Sequence, residues 1–253
     1  MATTTPQPDC PLFLRLLEAS VQTDQEIRVL QDFYGYCLQK NVLFSRFLVL
    51  AGPCGGVKSL AAWLLRELVG PDKCAGVMPE DLADRAELAR LKDRYVNVCP
   101  VADPYALLSP AFMSILSGDR LLAEDDRGEG FIFSPSCKFV FTAVGLPRDV
   151  LNDRRFESRG LMARFRKTKA RVEERRLTDR LLAELPGIRE WARQGLNRLV
   201  RNKGFTGYGR DLGDHSRAFV PRAPDPGPGP GFFPAYAEPA FLTERDYSLE
   251  GVY

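Results

Sequence analysis

Apolar positions recur along the first four-fifths of the chain with two different periods. Ile27, Leu30, Tyr34, Cys37 and Leu38 fall on one face of a helix. Thr23 and Glu26 precede them at the spacing of a capping box, in which two side chains satisfy each other's free backbone N–H groups. Phe47 to Leu50 is a short apolar run of strand length. Leu60, Leu64 and Leu68 return to the helical period, and Gly70-Pro71 stops it. Residues 80–92 read as a charged helix. Tyr95 to Val98 and Lys138 to Val144 are rich in β-branched and aromatic residues and read as buried strands. Ile188, Trp191, Ala192, Gly195, Leu196 and Leu199 mark a last helix that closes at Asn202-Lys203-Gly204. Strands separated by helices predict an α/β domain over 1–204, with a parallel sheet flanked by helices and a helical lead-in over 1–45.

The pattern stops at Gly204. Pro221, Pro224, Pro226, Pro228, Pro230 and Pro234 then alternate with Gly227, Gly229 and Gly231. Proline removes backbone donors and glycine raises the entropy lost on ordering, so 205–253 is expected not to pack as a domain. Two readings stay open for it: a flexible tail, or a docking tail that uses Phe232, Phe233, Tyr236 and Phe241.

The apolar run at 47–50 leads directly into Gly52-Pro53-Cys54-Gly55-Gly56-Val57-Lys58-Ser59 and then into the Leu60 helix. Strand, glycine-rich turn, Lys-Ser and helix form the layout of a phosphate-binding P-loop. Gly52, Gly55 and Gly56 let backbone N–H groups converge on phosphate oxygens, and the helix start adds partial positive charge. Lys58 is placed to reach the terminal phosphates of ATP, and the Ser59 hydroxyl to ligate Mg²⁺. Val57 occupies the last glycine position of G-x-x-x-x-G-K-[ST]. If φ there is positive, a β-branched residue implies strain on the order of 1–3 kcal/mol.

Composition narrows the classes. The 253 residues carry 35 Lys or Arg against 33 Asp or Glu, so the chain is no polycation and any nucleic-acid contact must be a local patch. A single histidine weakens any His-rich metal site. Six cysteines without a CxxC pair give neither a zinc pattern nor a disulfide framework, and read as buried free thiols in a reducing cytoplasm. No run of 18 apolar residues exists and the first residues lack a signal-peptide layout, so no membrane partner is expected.

Several stretches together resemble the superfamily 3 helicase domain of phage and plasmid primase–helicases and of poxvirus primase–helicases. They are Phe33 to Leu38, Leu116-Ser117-Gly118-Asp119, Phe131 to Ala143, Leu146-Pro147, and Leu185-Pro186-Gly187-Ile188-Arg189-Glu190-Trp191-Ala192 with Gly195-Leu196. The resemblance covers roughly 25–204. It implies an AAA+-like P-loop fold and an ATP-driven homo-oligomeric ring that moves along single-stranded DNA. It also implies an arginine from the neighbouring subunit at the transferring phosphoryl group, for which Arg164 is the better match and Arg159 the second. In the relatives this domain usually follows a primase on the same chain. Before residue 25 the sequence shows none, so the expectation is either a separate primase as partner or a protein that does not prime.

The same resemblance exposes departures. Val101 aligns with the family's principal Mg²⁺-holding acid, and Asp103 is the nearest carboxylate that could take that catalytic and metal-binding place. Val144 aligns with the sensor asparagine and cannot hydrogen-bond. The family's DNA-contacting hairpin is basic, whereas this chain reads Ala123-Glu124-Asp125-Asp126-Arg127. Between Arg148 and Arg176 stand 11 Lys or Arg and 5 Asp or Glu, an excess of +6, read either as a solvated helix of mixed charge or as a surface for an acidic partner. The expected function is an ATP-binding, helicase-like domain with weakened hydrolysis. The alternative is a degenerate P-loop module that binds nucleotide or DNA, or assembles, without turnover. A small P-loop kinase is the third reading, and nothing in the sequence suggests its lid.

Overall fold

The computed structural model describes residues 9–42, 44–54, 56–167 and 175–208. Helix α1 (Pro11–Ser20) begins on a proline, whose missing N–H costs nothing there, and the Leu12 and Phe13 N–H groups donate to the Glu184 carboxylate at 3.0 and 2.9 Å. Helix α2 (Asp24–Cys37) starts at Thr23, whose hydroxyl accepts from the Glu26 N–H at 3.2 Å. Only half of the expected capping box forms. Glu26 turns its carboxylate away from Thr23 and toward Arg164, at 2.6 Å.

Strand β1 (Phe47–Ala51) enters the glycine-rich turn, and α3 (Val57–Val69) leaves it, stopping at Gly70 with φ 106°. A two-residue strand β2 (Cys74–Ala75) follows. The continuous helix predicted over 80–92 is instead two pieces: a 3₁₀ turn at Pro79–Ala83 and a short α4 (Arg85–Ala89). Asp84 separates them in an extended conformation, and its carboxylate accepts from the Ala86 and Glu87 N–H groups at 2.8 and 3.2 Å. Then come β3 (Val96–Pro100), a 3₁₀ turn at Pro104–Leu108, and α5 (Pro110–Ser117). Strands β4 (Leu121–Glu124) and β5 (Gly130–Phe133) form an antiparallel hairpin. Strand β6 (Lys138–Ala143) ends one residue earlier than predicted. Two short helices, α6 (Arg148–Leu151) and α7 (Arg154–Arg159), lead to β7 (Gly160–Arg164). Helices α8 (Arg175–Ala183) and α9 (Leu185–Asn202) close the described body.

The five main strands run parallel in the order β2-β3-β6-β1-β7. Their side chains alternate between two cores, as the pleat requires. Leu48, Leu50, Val140, Leu161 and Ala163 face α1, α2, α3 and α9. Phe47, Val49, Phe139 and Phe141 face the other layer, where Phe112 and Phe156 fill an aromatic cluster with ring centroids 5.1–6.0 Å apart. The sheet is thus buried on both faces, as expected for parallel strands joined by helical crossovers.

Where β2 stops, the buried Asn97 side chain of β3 bonds the Val77 N–H and C=O, each at 2.8 Å, and carries the β2–β3 junction on without a ladder. One outer edge is covered by a group that is not a strand. Beyond β7, the α1–α2 connection takes over: Gln22 N donates to Arg164 O at 2.9 Å and Arg166 N to Ser20 O at 2.7 Å. Arg166 also holds Val21 O and Gln22 O with its guanidinium, at 3.0 Å each.

Helices α2 and α9 pack with their backbones close together. A Cβ on Gly195 would lie 2.1 Å from Gln31 O, and one on Gly35 would lie 2.2 Å from Ala192 O. Trp191 sits edge-on to Phe13 and Tyr34, and Arg198 pairs with the fully buried Asp32 at 2.6 Å. The packed body passes the composition break at 204: Phe205 is buried among Phe33, Tyr36 and Phe44, and Thr206 donates to Asp32. Residues 209–253, with the aromatic positions of the candidate docking tail, lie outside the described residues. Among the described residues no helix is long and apolar enough to cross a membrane.

Five of the six cysteines are buried and all six are free. Burial pushes the Cys10, Cys99 and Cys137 thiols up to about 12 and raises Cys37 and Cys74 in the same direction. A raised folded-state value stabilises fully below the ordinary thiol value of about 8.5 and is lost as pH climbs toward the folded value. Buried Lys138, lowered to about 8, and Lys58, lowered by burial, act oppositely, but they are two groups against five. Urea denaturation should therefore show unfolding free energy falling by ~3 kcal/mol or more between about pH 8 and 10. A flat profile would contradict the burial of these thiols.

Candidate functional site

The C-terminal ends of β1, β6 and β3 meet at one edge of the sheet, and the glycine-rich turn sits there. Ala51 at the end of β1 lies level with Ala143 on β6 and with Arg164 on β7. Gly52 turns the chain out of the sheet with φ 149°, and its N–H donates to Ala143 O at 3.0 Å. A Cβ there would lie 2.4 Å from Phe165 O, so both backbone conformation and space demand glycine. Gly55 lies outside the described residues. Gly56 is the extended residue ahead of α3, and no side chain caps that helix. The Ser59 and Leu60 N–H groups already donate to Gly56 O, at 3.2 and 3.4 Å, so among the described residues it is the Val57 and Lys58 N–H groups, with the helix dipole, that are left to an anion or to water.

The strain anticipated at Val57 is not there. Among the described residues only Asp93 and Lys203 combine a side chain with positive φ. Val57 is the first residue of α3, and its side chain is buried in the core. Gly56 already completes the turn, so the next position is helical and a β-branched residue fits.

Lys58 is only 5% exposed. Its Nζ donates to Gly52 O and to Ala143 O, at 2.8 Å each, bridging the start of the turn to the end of the neighbouring strand. Burial holds its ammonium below the ordinary lysine value. The ammonium is aimed into the turn, held by two neutral carbonyls and by no carboxylate in those bonds. Ser59 is exposed at the start of the helix. Cys54, in the turn, is the one exposed cysteine. Iodoacetamide on the native chain should modify Cys54 first, and ATP should slow that reaction severalfold if phosphates occupy the turn. Peptide mass mapping with and without ATP checks both.

The carboxylates at this edge differ from the sequence reading. Val101 continues alongside β6, its N–H donating to Thr142 O at 3.0 Å. Asp103 is exposed and caps its own 3₁₀ turn by accepting from the Tyr105 N–H at 2.9 Å. Glu80 reaches across to accept from the Ala102 and Asp103 N–H groups. On the β6 side, Val144 is 69% exposed, and Asp149 accepts from the Tyr105 hydroxyl at 2.5 Å. That bond holds the Asp149 carboxyl below the usual range. Glu80 and Asp149 had no signal in the sequence, because tertiary contacts alone bring them here. Among the described residues no group of three or more His, Cys, Asp or Glu side chains could cage a metal.

Arg164 ends β7, one strand away from the turn of its own chain, and pairs with buried Glu26 while its own side chain stays half exposed. The basic stretch around it is not a helix face: β7 runs through its middle. Three of its cations are used inside the chain. Arg155 chelates Asp153 and holds Leu108 O at 2.7 Å, Arg164 takes Glu26, and Arg166 takes the α1–α2 connection. Residues 168–174 lie outside the described residues. The acidic 124–126 stretch does form the tip region of the β4–β5 hairpin, and Glu124 pairs with Arg85 of α4 at 3.0 Å.

The chain shares its fold with the C-terminal region of NrS-1. Two apo structures of that region superimpose with a TM-score of 0.56, at 12% and 13% identity, covering 76% of this chain and 48% of theirs. The chain therefore spans about half the length of these relatives. JCV helicase, bound to a thiazolopyridine-phenoxyphenyl acetamide, superimposes with a TM-score of 0.38 at 15% identity, covering 78% of this chain and 60% of that one. No family model and no curated protein matches. The likeness establishes the fold, a five-stranded parallel sheet flanked by helices in the P-loop NTPase manner.

Proposed function

We propose that this chain is the nucleotide-binding, helicase-like ATPase domain of a DNA-replication protein of phage or plasmid type, with weakened hydrolysis. The observation that carries the reading is Lys58. A buried ammonium is held by two backbone carbonyls at the mouth of a glycine turn, beside an uncapped helix start. A phosphate entering this turn meets N–H donors and a cation whose present partners are neutral, so the exchange favours the anion. The Ser59 hydroxyl is the group that would hold Mg²⁺ together with the phosphates, and the ion would supply charge neutralisation of the β and γ oxygens. With one protein hydroxyl at hand, most of its ligands would be phosphate oxygens and water, a set Mg²⁺ tolerates.

Weakened turnover is supported by what surrounds the loop. Val101 and Val144 offer no polar group to a water beside the γ-phosphate, and Asp103 already spends one carboxylate oxygen on its own turn. In this reading Asp103 is the remaining carboxylate that could orient that water, and Arg164 would serve a neighbouring copy only after leaving Glu26. A ring of copies, single-stranded DNA in its centre and a separate primase belong to the same proposal. A phosphate-release assay, with and without single-stranded DNA, tests it. Turnover at or below about 0.1 per second is expected, against the 1–10³ per second of ordinary enzymes. Asp103→Asn should lower any residual rate about tenfold without changing nucleotide affinity. Rapid turnover abolished by Lys58→Ala would refute the weakened-hydrolysis reading.

The second reading, a module that binds nucleotide and assembles without turnover, is favoured by the same valines. Mass measurement by light scattering with and without ATP distinguishes it. Assembly with ATP and no phosphate release would establish it.

A further inference from the structure

The opposite edge of the sheet, where the strands begin, holds three cations in one row. Phe47 on β1 is level with Phe139 on β6 and Gly160 on β7. The residues one step earlier are Arg46 just before β1, Lys138 at the start of β6 and Arg159 at the end of α7, where it leads into β7. With strands about 4.8 Å apart, the row spans roughly 10 Å. Arg46 and Lys138 are buried, and the Arg159 Nη1 is buried with no hydrogen-bond partner among the described residues. Burial, and then Arg46, push the Arg159 guanidinium below its ordinary value, with Asp119 acting the other way.

Two cations of this row, Arg46 and Lys138, line a cavity of about 500 Å³ between the sheet edge and the base of the β4–β5 hairpin. Lys40 and Lys92 also line it, against one carboxylate, Asp93. Like charges gathered in a concave, mostly enclosed site repel one another, and an anion relieves that repulsion. Part of the charge is already engaged: Arg46 lies 5.8 Å from the centre of the Tyr208 ring, Lys138 Nζ donates to Gln39 O and lies 5.2 Å from the centre of the Tyr36 ring, and Lys92 lies over Phe131. The remaining walls mix the aliphatic Val42, Ile115 and Leu116 with Phe44, Phe133 and Phe139, of which Phe133 is the ring that is not buried, and the Ser134 and Ser136 segment supplies hydroxyl groups. The volume falls in the range of sites that enclose a small organic ligand.

We infer that this cavity is a second anion site, separate from the glycine turn, which takes a nucleoside phosphate: the phosphate at the Arg46–Lys138 side and the base against the aromatic wall. Guanidinium and ammonium groups recognise phosphate oxygens, and bases stack on aromatic faces whatever their sequence. The same chemistry could arrive as a free mononucleotide or as the terminal nucleotide of a single strand. The site does not depend on how the glycine turn is used.

Equilibrium dialysis on the full chain tests the inference, with AMP in one arm and a short oligothymidylate in the other. The chain carries Lys58→Ala so that the glycine turn is weakened. One bound nucleotide per chain is expected in at least one arm. Binding in the AMP arm identifies a free nucleotide, and binding in the oligothymidylate arm alone identifies a strand end. Adding Ser136→Phe, which fills the cavity, or Lys138→Met, which removes its buried charge, should weaken that binding about tenfold or more. Melting curves establish that each variant folds, and Ser136→Phe serves alone if Lys138→Met does not. Absence of binding in both arms would overturn the inference, as would binding that a folded Ser136→Phe variant leaves unchanged.

Discussion

Replacing Lys58 with methionine is expected to weaken ATP binding about a hundredfold, roughly 2.7 kcal/mol, while the chain stays folded. The size follows from what Nζ would contribute. A charge-assisted bond to a phosphate is worth about 1.5–3 kcal/mol, and here it forms in a turn that supplies no other side-chain cation at its mouth among the contacts described. The fold should survive because methionine keeps the length and the burial of the stem. It abandons two hydrogen bonds to Gly52 O and Ala143 O, at a cost of about 1–2 kcal/mol, but it also removes a buried charge. Titration calorimetry with ATP, beside a thermal melt, separates binding from stability. Unchanged affinity in a folded Lys58→Met chain would remove the glycine turn as the nucleotide site.

The largest effect on stability is expected at Gly195, where alanine should cost about 3 kcal/mol. The new Cβ would lie 2.1 Å from Gln31 O and 2.4 Å from Gln31 C, both backbone atoms that cannot rotate away. Helices α2 and α9 would have to separate, loosening the Trp191–Tyr34–Phe13 ring contacts and the Arg198–Asp32 pair between them. For a body of about 200 residues this corresponds to a fall in Tm on the order of 10 °C. Gly145→Ala is the matched control. Its Cβ would meet nothing within 4 Å, so a shift near zero is expected. Equal shifts in the two variants would show that α2 and α9 do not approach so closely.

These two residues also show which parts of the sequence could be read. The strand–turn–helix around Lys58 was legible because an apolar run, glycines and a leucine stripe agree along one continuous stretch. The Leu185–Leu196 stretch was legible as a resemblance, and the structure gives its physical content. Gly187 and Gly195 stand where other backbone comes within 2.1 Å of a would-be Cβ, and Trp191 fills the space between them. That motif describes packing rather than chemistry. Lys138, quoted in the same resemblance, ties β6 to the end of α2 through Gln39 O.

What could not be read has equally local causes. Asp84 caps a new helix inside an unbroken charged stretch, so periodicity joined two pieces that the chain keeps apart. Strand β7 is four small or apolar residues and an arginine within a run of cations, and composition concealed it. Val57 looked strained because the motif was aligned by residue type, whereas backbone conformation is set one position earlier, at Gly56. The Glu80 and Asp149 carboxylates arrive at the site from 3₁₀ and helical segments separated from Lys58 by 22 and 91 positions in the numbering.

The covered β7 edge of the sheet constrains how copies of this chain can meet there. An open edge invites a neighbour to add a strand, and the bonds of such a junction are indifferent to sequence. Here the Ser20–Gln22 connection takes the bonds at the end of β7. An assembly through that edge must therefore be written in side chains, where shape and charge can be selective and a bound nucleotide can alter the fit.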